Sequence, residues 1–123
     1  MSDCRLTKRS RLRKRSEIKR CQNEGRRIYS KHFAIFVHAG CGDDSRLAIA
    51  VTKKIDKRAV VRNLIKRRIR EVFRVHKNCF VKPVDIVVVA RRGVQECEYS
   101  EYERQIVGSL RSKGILRLKE SNV

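Results

Sequence analysis

Three segments of the chain have the apolar patterning of β-strands. Residues 32–38 and 46–53 each alternate their side chains between two faces, and the turn-rich loop between them predicts that they form an antiparallel pair. The segment from Pro83 to Ala90 is apolar on both faces except at Asp85, which is typical of a central strand covered on both sides.

Residues 58–77, between the second and third strands, have the period of one long helix. Its apolar positions fall within a single arc and are Val61, Ile65, Ile69, Val72 and His76. A strand, a helix and a strand in this order predict a β-α-β crossover, with the two strands parallel to each other.

Two shorter helices complete the predicted elements. The first spans residues 16–24, with Ser16 as its N-cap and Gly25 just past its end. The second begins near Ser100, whose spacing to Glu103 is that of a capping box.

Charge narrows the class of partner. Lys and Arg number 32 against 13 Asp and Glu, a formal charge of +19, and this much like charge on one surface favours a polyanionic partner, nucleic acid above all. The longest apolar run is far too short to span a membrane, and no apolar segment follows the basic N-terminus as in a signal peptide. We therefore predict a cytoplasmic protein with no membrane partner.

The chain of 123 residues is long enough for one domain with a core of its own. We predict a basic flexible arm at residues 1–15, a single RNA-binding α+β domain at residues 16–114 and a basic tail at residues 115–123. The arm has too few apolar side chains to bury itself, so it is expected to order only on a polyanion.

The long helix separates its charges from its apolar arc. Its cationic ridge, as we call it, consists of Arg62, Asn63, Lys66, Arg67, Arg70 and Arg74. Residues 53–77 contain eleven Lys or Arg and only two acids, whereas a helix that is merely solvated usually intersperses acids for i,i+4 pairing. The ridge therefore predicts phosphate binding, for which the planar arginine fork is suited.

No constellation for catalysis or metal binding is recognisable. The three histidines are far apart, and His76 lies on the apolar arc, which predicts a packed residue at the edge of the core. The glutamates between residues 96 and 103 sit at a predicted helix N-terminus, where the helix dipole stabilises negative charge. The five cysteines have no zinc-finger spacing. We predict no catalytic residue and no metal ligand in the chain.

Three motifs, taken in order, resemble the bacterial ribonuclease P protein family. They are LAIAVTKKI at residues 47–55, AVVRNLIKRRIRE at residues 59–71 and DIVVVAR at residues 85–91. The segment from Arg11 to Phe33 is similar to the family's opening, and the resemblance covers roughly residues 8–112.

This resemblance implies an α+β fold, an α-β-β-(β)-α-β-α sandwich with a central, mostly antiparallel sheet, like the second domain of ribosomal protein S5. Its β-α-β crossover would be left-handed, against the usual rule. The implied function is that of a non-catalytic subunit of an endoribonuclease, which binds the catalytic RNA of ribonuclease P and the 5′ leader of precursor tRNA. The RNA subunit, which would bind most of the Mg²⁺, removes the leader to give the mature 5′ end, and no protein partner is required.

By position, the resemblance assigns RNA contacts to Lys53, Lys54, Arg62, Asn63, Lys66, Arg67 and Arg70. Charge adds Arg58, Arg68 and Arg74 around the long helix, and Arg11 and Arg13 in the arm. The predicted leader-binding residues are Phe36, Ile18 and Gln22.

The sequence departs from the family pattern at several of these positions. Leu64 replaces the second arginine of an Arg-Asn-Arg motif, and Arg67 or Arg68 could compensate for it. Ile18 and Gln22 stand where aromatic rings are common, which leaves Phe36 as the stacking platform, unless it packs under a helix instead.

The alternative function is that of a structural protein of a ribosomal particle that binds ribosomal RNA. Composition does not separate the two functions, and only the ordered motif around Arg62 and Asn63 favours the first. A protein-only nuclease is disfavoured because no carboxylate or histidine constellation is present.

Overall fold

A computed structural model describes residues 10–40 and 44–117 of the chain. Its helices and strands are α1 (Arg15–Glu24), β1 (Arg26–Tyr29), β2 (Phe33–Ala39), β3 (Arg46–Ala50), α2 (Ala59–Val75), β4 (Val84–Ala90) and α3 (Tyr99–Ser112). This order confirms the predicted α-β-β-(β)-α-β-α fold.

The four strands form one sheet in the order β1-β2-β4-β3. Strand β2 is antiparallel to both β1 and β4, and β3 is parallel to β4. The predicted parallel pair and the predicted central strand are therefore confirmed. The predicted antiparallel pairing of β2 with β3 is wrong, because β4 lies between them: its two apolar faces and two hydrogen-bonding edges favour the middle of the sheet.

The position of strand β1 was not predicted, although the fold implied by the resemblance allowed a third strand before α2. The strand is four residues long and only Ile28 of it is buried, so it has almost no alternating pattern to reveal it. Its place at the edge is set by pairing with β2, where Ile28 lies opposite Ile35 in the main core.

Helices cover both faces of the sheet. Helices α2 and α3 bury the main core, in which Phe33 packs against Tyr102 with ring centroids 5.3 Å apart. Helix α1 lies on the opposite face, over a smaller cluster formed by Leu12, Cys21 and Val87. These two layers of helix around one sheet give the predicted sandwich.

The predicted helix N-caps are wrong, although the helices are confirmed and Gly25 follows the end of α1 as predicted. Lys14 occupies the N-cap of α1 and Glu98 that of α3, and neither forms a side-chain capping bond. Ser16 and Ser100 therefore lie inside their helices. Each helix has instead a glutamate in its first turn, Glu17 or Glu101, whose charge is favourable at the positive end of the helix dipole.

The domain extends further in both directions than the sequence predicts. Leu12 is 4% exposed, and its N–H donates to the carbonyl of Leu47 over 3.0 Å. At the other end, Leu116 is buried and forms a β-bridge with Phe80. The boundaries at residues 16 and 114 are thus too narrow, while residues 1–9 and 118–123 of the predicted arm and tail lie outside the described residues.

Candidate nucleic-acid interface

Helix α2 presents different surfaces on its two flanks. Its buried side chains pack against the sheet and α3, and they are Ile65, Ile69, Val72 and Phe73. On the flank away from α3, Asn63 and Arg67 are exposed, while Lys66 and Arg70 are partly buried. Since no acidic partner is recorded for Lys66, Arg67 or Arg70 among the described residues, their charge is available to a ligand.

A cleft of about 530 Å³ opens between α1, β3, α2 and the segment that precedes α1. Arg11 and Arg13 line one side and Lys66 and Arg70 the other. The remaining lining residues are largely apolar: Leu12, Ile18, Leu47, Ala48 and Ile49. The cleft thus combines four cations with an apolar floor, which suits a strand that carries both phosphates and bases.

Leu12 fixes the segment that carries Arg11 and Arg13, which line one side of the cleft. Its side chain is buried under α1, while its backbone bonds to Leu47 at the free edge of β3. Arg11 forms a β-bridge with Leu47, and with Arg13 it flanks the buried leucine and lines the cleft. The last part of the predicted flexible arm is therefore fixed to the sheet in this structure.

A partly buried ion-pair network joins α1 to the sheet. The Arg46 guanidinium donates to both carboxylate oxygens of Asp85, each over 2.9 Å, and to both of Glu17 over 3.3 Å. The hydrogen bond to Asp85 raises the pKa of Arg46 further above its already high ordinary value. The sequence carries a signal for this network, because Asp85 is an acid in an otherwise apolar strand and a buried carboxylate needs a cation.

The loop before α2 fixes two more of the predicted residues. The Asp56 carboxylate accepts hydrogen bonds from the N–H and the guanidinium of Arg58, over 2.9–3.0 Å. These bonds lower the pKa of Asp56 to about 2. Arg62 Nη1 donates to the carbonyls of Asp56 and Lys57. Arg58 and Arg62 are therefore preorganised at the start of α2, next to the exposed turn that contains Lys53 and Lys54.

Arg68 lies on the other flank of α2. Its guanidinium donates to the carbonyl of Cys97 over 2.9 Å and sits 5.4 Å from the centroid of the Tyr102 ring. Because these contacts join α2 to α3, the position of Arg68 does not support its predicted RNA contact or its compensation for Leu64. Arg67 is the compensating candidate that remains, since it is exposed on the ridge. Arg74, further along the ridge, is paired with Glu71.

The three predicted leader-binding residues lie around α1. Phe36 is on the sheet face opposite Phe33, as predicted, and is partly buried against the small cluster under α1. Ile18 packs on the same cluster and also lines the cleft, whereas Gln22 is partly buried on α1. The structure thus brings Ile18 to the four cleft cations, while Phe36 lies nearby, outside the lining of the cleft.

The three histidines lie apart from one another, and His32 is also 3.3 Å from Cys97 through its Nδ1 atom. The rings of His32, His38 and His76 contact Gln105, Glu24 and Glu103 respectively, at three separate places. His76 lies at the edge of the core, as predicted. Burial raises the pKa of the Cys21 thiol to about 11, so this cysteine is a packing residue. Among residues 10–40 and 44–117, no group of His, Cys, Asp or Glu could hold a metal ion.

Comparison with known proteins identifies the family. The sequence model of the Ribonuclease P family matches residues 6–113. The chain belongs to the ribonuclease P protein family. It is 38% identical over 120 residues to the ribonuclease P protein component of Syntrophus aciditrophicus, covering 98% of this chain and 94% of that protein. The corresponding protein of Desulfovibrio desulfuricans is 36% identical over 110 residues, with 86% and 84% covered.

Solved structures of ribonuclease P proteins have the same fold as this chain. The fold matches the RNase P protein of Staphylococcus aureus with a TM-score of 0.79 and 30% identity, covering 87% of this chain and 97% of that one. The Thermotoga maritima protein matches with a TM-score of 0.74, also at 30% identity, over 83% and 96% of the two chains. Family membership implies that this chain takes part in tRNA processing as a subunit of ribonuclease P, an endoribonuclease. No helix in the described part of the chain is long and apolar enough to cross a membrane.

Proposed function

We propose that the chain binds the catalytic RNA of ribonuclease P through the cationic ridge and holds the 5′ leader of precursor tRNA in the cleft. In this way it assists the endonucleolytic removal of the leader. The observation that carries the proposal is the cleft itself, where residues from the N-terminal segment, α1, β3 and α2 meet around four cations.

The two parts of the ridge suit different RNA partners. Asn63 and Arg67 project into solvent, where a large, folded RNA can reach them. Lys66 and Arg70 face the cleft opposite Arg11 and Arg13, so a strand in the cleft has cations on both sides. A leader is single-stranded, and single strands bind in basic grooves with stacking of their bases. The alternative of a ribosomal-particle protein is set aside, since the family comparison identifies ribonuclease P.

In this proposal the polypeptide positions RNA and does not cleave it. Glu17 of α1 and Asp85 of β4 are both paired with Arg46, and the described residues form no metal-binding cluster. The residues that the structure describes therefore do not fit a protein-held Mg²⁺ site, and we assign Mg²⁺ mainly to the RNA subunit. That no protein partner is required and that the location is cytoplasmic stay predictions.

Leader dependence of binding by the reconstituted holoenzyme tests this function. Lys66→Ala should weaken binding of precursor tRNA with a leader more than that of the same tRNA without one, because a cation is lost from the cleft wall. Lys82→Ala is the matched control, since Lys82 carries the same charge but lines a different cleft. Equal binding of the two tRNAs by the unmodified holoenzyme would contradict the leader site.

The protein free of RNA provides a second test. It should not cleave precursor tRNA at any Mg²⁺ concentration, because no group of His, Cys, Asp or Glu in the described part of the chain could hold a catalytic metal ion. Specific cleavage by RNA-free protein would overturn the assignment of roles.

A further inference from the structure

An exposed aromatic ring lies on the same sheet face as the cleft. Tyr29, in the edge strand β1, is 59% exposed. The register places Tyr29 opposite Ala34 and Arg27 opposite Phe36. Because directly opposed residues of an antiparallel pair point to the same face, Tyr29 and Phe36 are diagonal neighbours, about 7–8 Å apart. Both point away from the main core.

A cation is held against this ring. The guanidinium of Arg91, which directly follows β4, is 5.8 Å from the centroid of Tyr29, and its Nη1 donates to the carbonyl of Ser30 over 3.0 Å. This backbone bond keeps the guanidinium beside the ring, where it can hold a phosphate oxygen. Arg27, on the same face of β1, is exposed and adds a second positive charge.

The row of residues that leads to Tyr29 consists of alanine and valine. The strand pairings align Tyr29, Ala34, Val89 and Ala50 across all four strands. The anchoring contacts of α1 lie nearer the other end of the sheet, where Cys21 Sγ donates to the carbonyls of Phe36 and Asp85. From β3, which lines the cleft, to β1 is three strand spacings, about 14 Å.

We propose that Tyr29, with Arg91 against its ring, is a further stacking position for an unpaired nucleotide of the leader, beyond Phe36. This inference rests on the proposed leader-binding function. The occupant is single-stranded RNA, because an exposed ring flanked by cations at the edge of the sheet combines base stacking with phosphate binding. Four-stranded sheets of other RNA-binding proteins stack two or three bases on such rings.

Precursor tRNAs with short and long leaders distinguish binding at Tyr29 from binding in the cleft. A leader of about two nucleotides is too short to cross the sheet to Tyr29, whereas one of about eight is within the length that a single binding site covers. With the reconstituted holoenzyme, Tyr29→Ala should weaken binding of the long-leader precursor tRNA about five-fold or more, the low end of the loss of one stacked base. Binding of the short-leader substrate should not change, and Tyr29→Phe, which keeps the ring, should behave like the unmodified protein.

A spectroscopic variant detects stacking directly. The chain contains no tryptophan, so Tyr29→Trp introduces a single indole whose fluorescence reports on that site alone. Long-leader substrate should quench this emission, and short-leader substrate should not.

The possible failures can be told apart. If Tyr29→Ala weakens both substrates equally and lowers the melting temperature, Tyr29 only packs the edge strand and the inference is overturned. If the unmodified holoenzyme prefers the long leader but Tyr29→Ala is unchanged, the inference alone fails. If the unmodified holoenzyme does not distinguish the leaders, the proposed function fails together with it.

Discussion

Helix α2 supplies arginines and lysines to two regions of the molecule, the interface with α3 and the cleft, and the two regions use them differently. At the α3 interface, Arg68 is held by a protein carbonyl and an aromatic ring. At the cleft, Lys66 and Arg70 line an open volume together with two arginines from another segment. The contrast indicates that the charge of a residue on a basic helix does not by itself predict an RNA contact, because a protein group can hold the same cation.

Substitution of Arg46 should have the largest effect on stability, because this cation pairs with a carboxylate inside the protein. Arg46→Met leaves the buried Asp85 carboxylate without its partner, and breaking a buried ion pair in this way costs about 3–5 kcal/mol. Thermal or urea unfolding measures the loss. The double variant Arg46→Met/Asp85→Asn, which removes the stranded charge, should recover part of it; an equal loss in both variants would show that Asp85 is not the cause.

Arg68 is the corresponding test within α2. Arg68→Ala should lower the free energy of unfolding by about 1–3 kcal/mol, because a charged hydrogen bond and a cation–π contact are both lost. Arg67→Ala, one residue away but exposed, is the matched control and should leave stability nearly unchanged. If Arg68→Ala instead weakens RNA binding at unchanged stability, Arg68 belongs with the ridge after all.

Arg70 tests the opposite case, in which a cation is expected to contribute to RNA binding and not to stability. Arg70→Ala should leave the unfolding free energy almost unchanged, yet weaken binding to the RNA subunit. If it contacts one phosphate, the log–log dependence of affinity on salt should become shallower by about 0.7–0.9. Binding titrations at several salt concentrations measure this slope. Weaker binding with the slope unchanged would indicate a structural or base-directed effect.

The same contrast explains how far the sequence could predict the molecule. Periodicity placed α2, and with it the ridge, because one strong apolar arc decides the orientation of a long helix. Periodicity shows that Arg68 lies at a different angle on the helix from the ridge, but not which group it contacts. Its partners, Cys97 and Tyr102, are about thirty residues away in sequence, so no local pattern reveals them. Strand β1 and the docking of Leu12 were missed for a similar reason: tertiary contacts, not local pattern, hold them.

The smallest expected effect concerns the loop that orients Arg58 and Arg62. The pKa of Asp56 is lowered from 3.8 to about 2 by its hydrogen bonds with Arg58. A carboxyl whose pKa is lower in the folded state stabilises the fold above its unfolded pKa, and this contribution is lost as the pH falls through the folded value. Asp56→Asn should therefore flatten the fall in melting temperature between about pH 4 and about pH 2.

Because Asp56 also accepts the bonds that fix Arg58, the same variant should leave Arg58 less well ordered at neutral pH and weaken RNA binding slightly. A pH profile identical to that of the unmodified protein would show that the Asp56–Arg58 pair does not persist in solution.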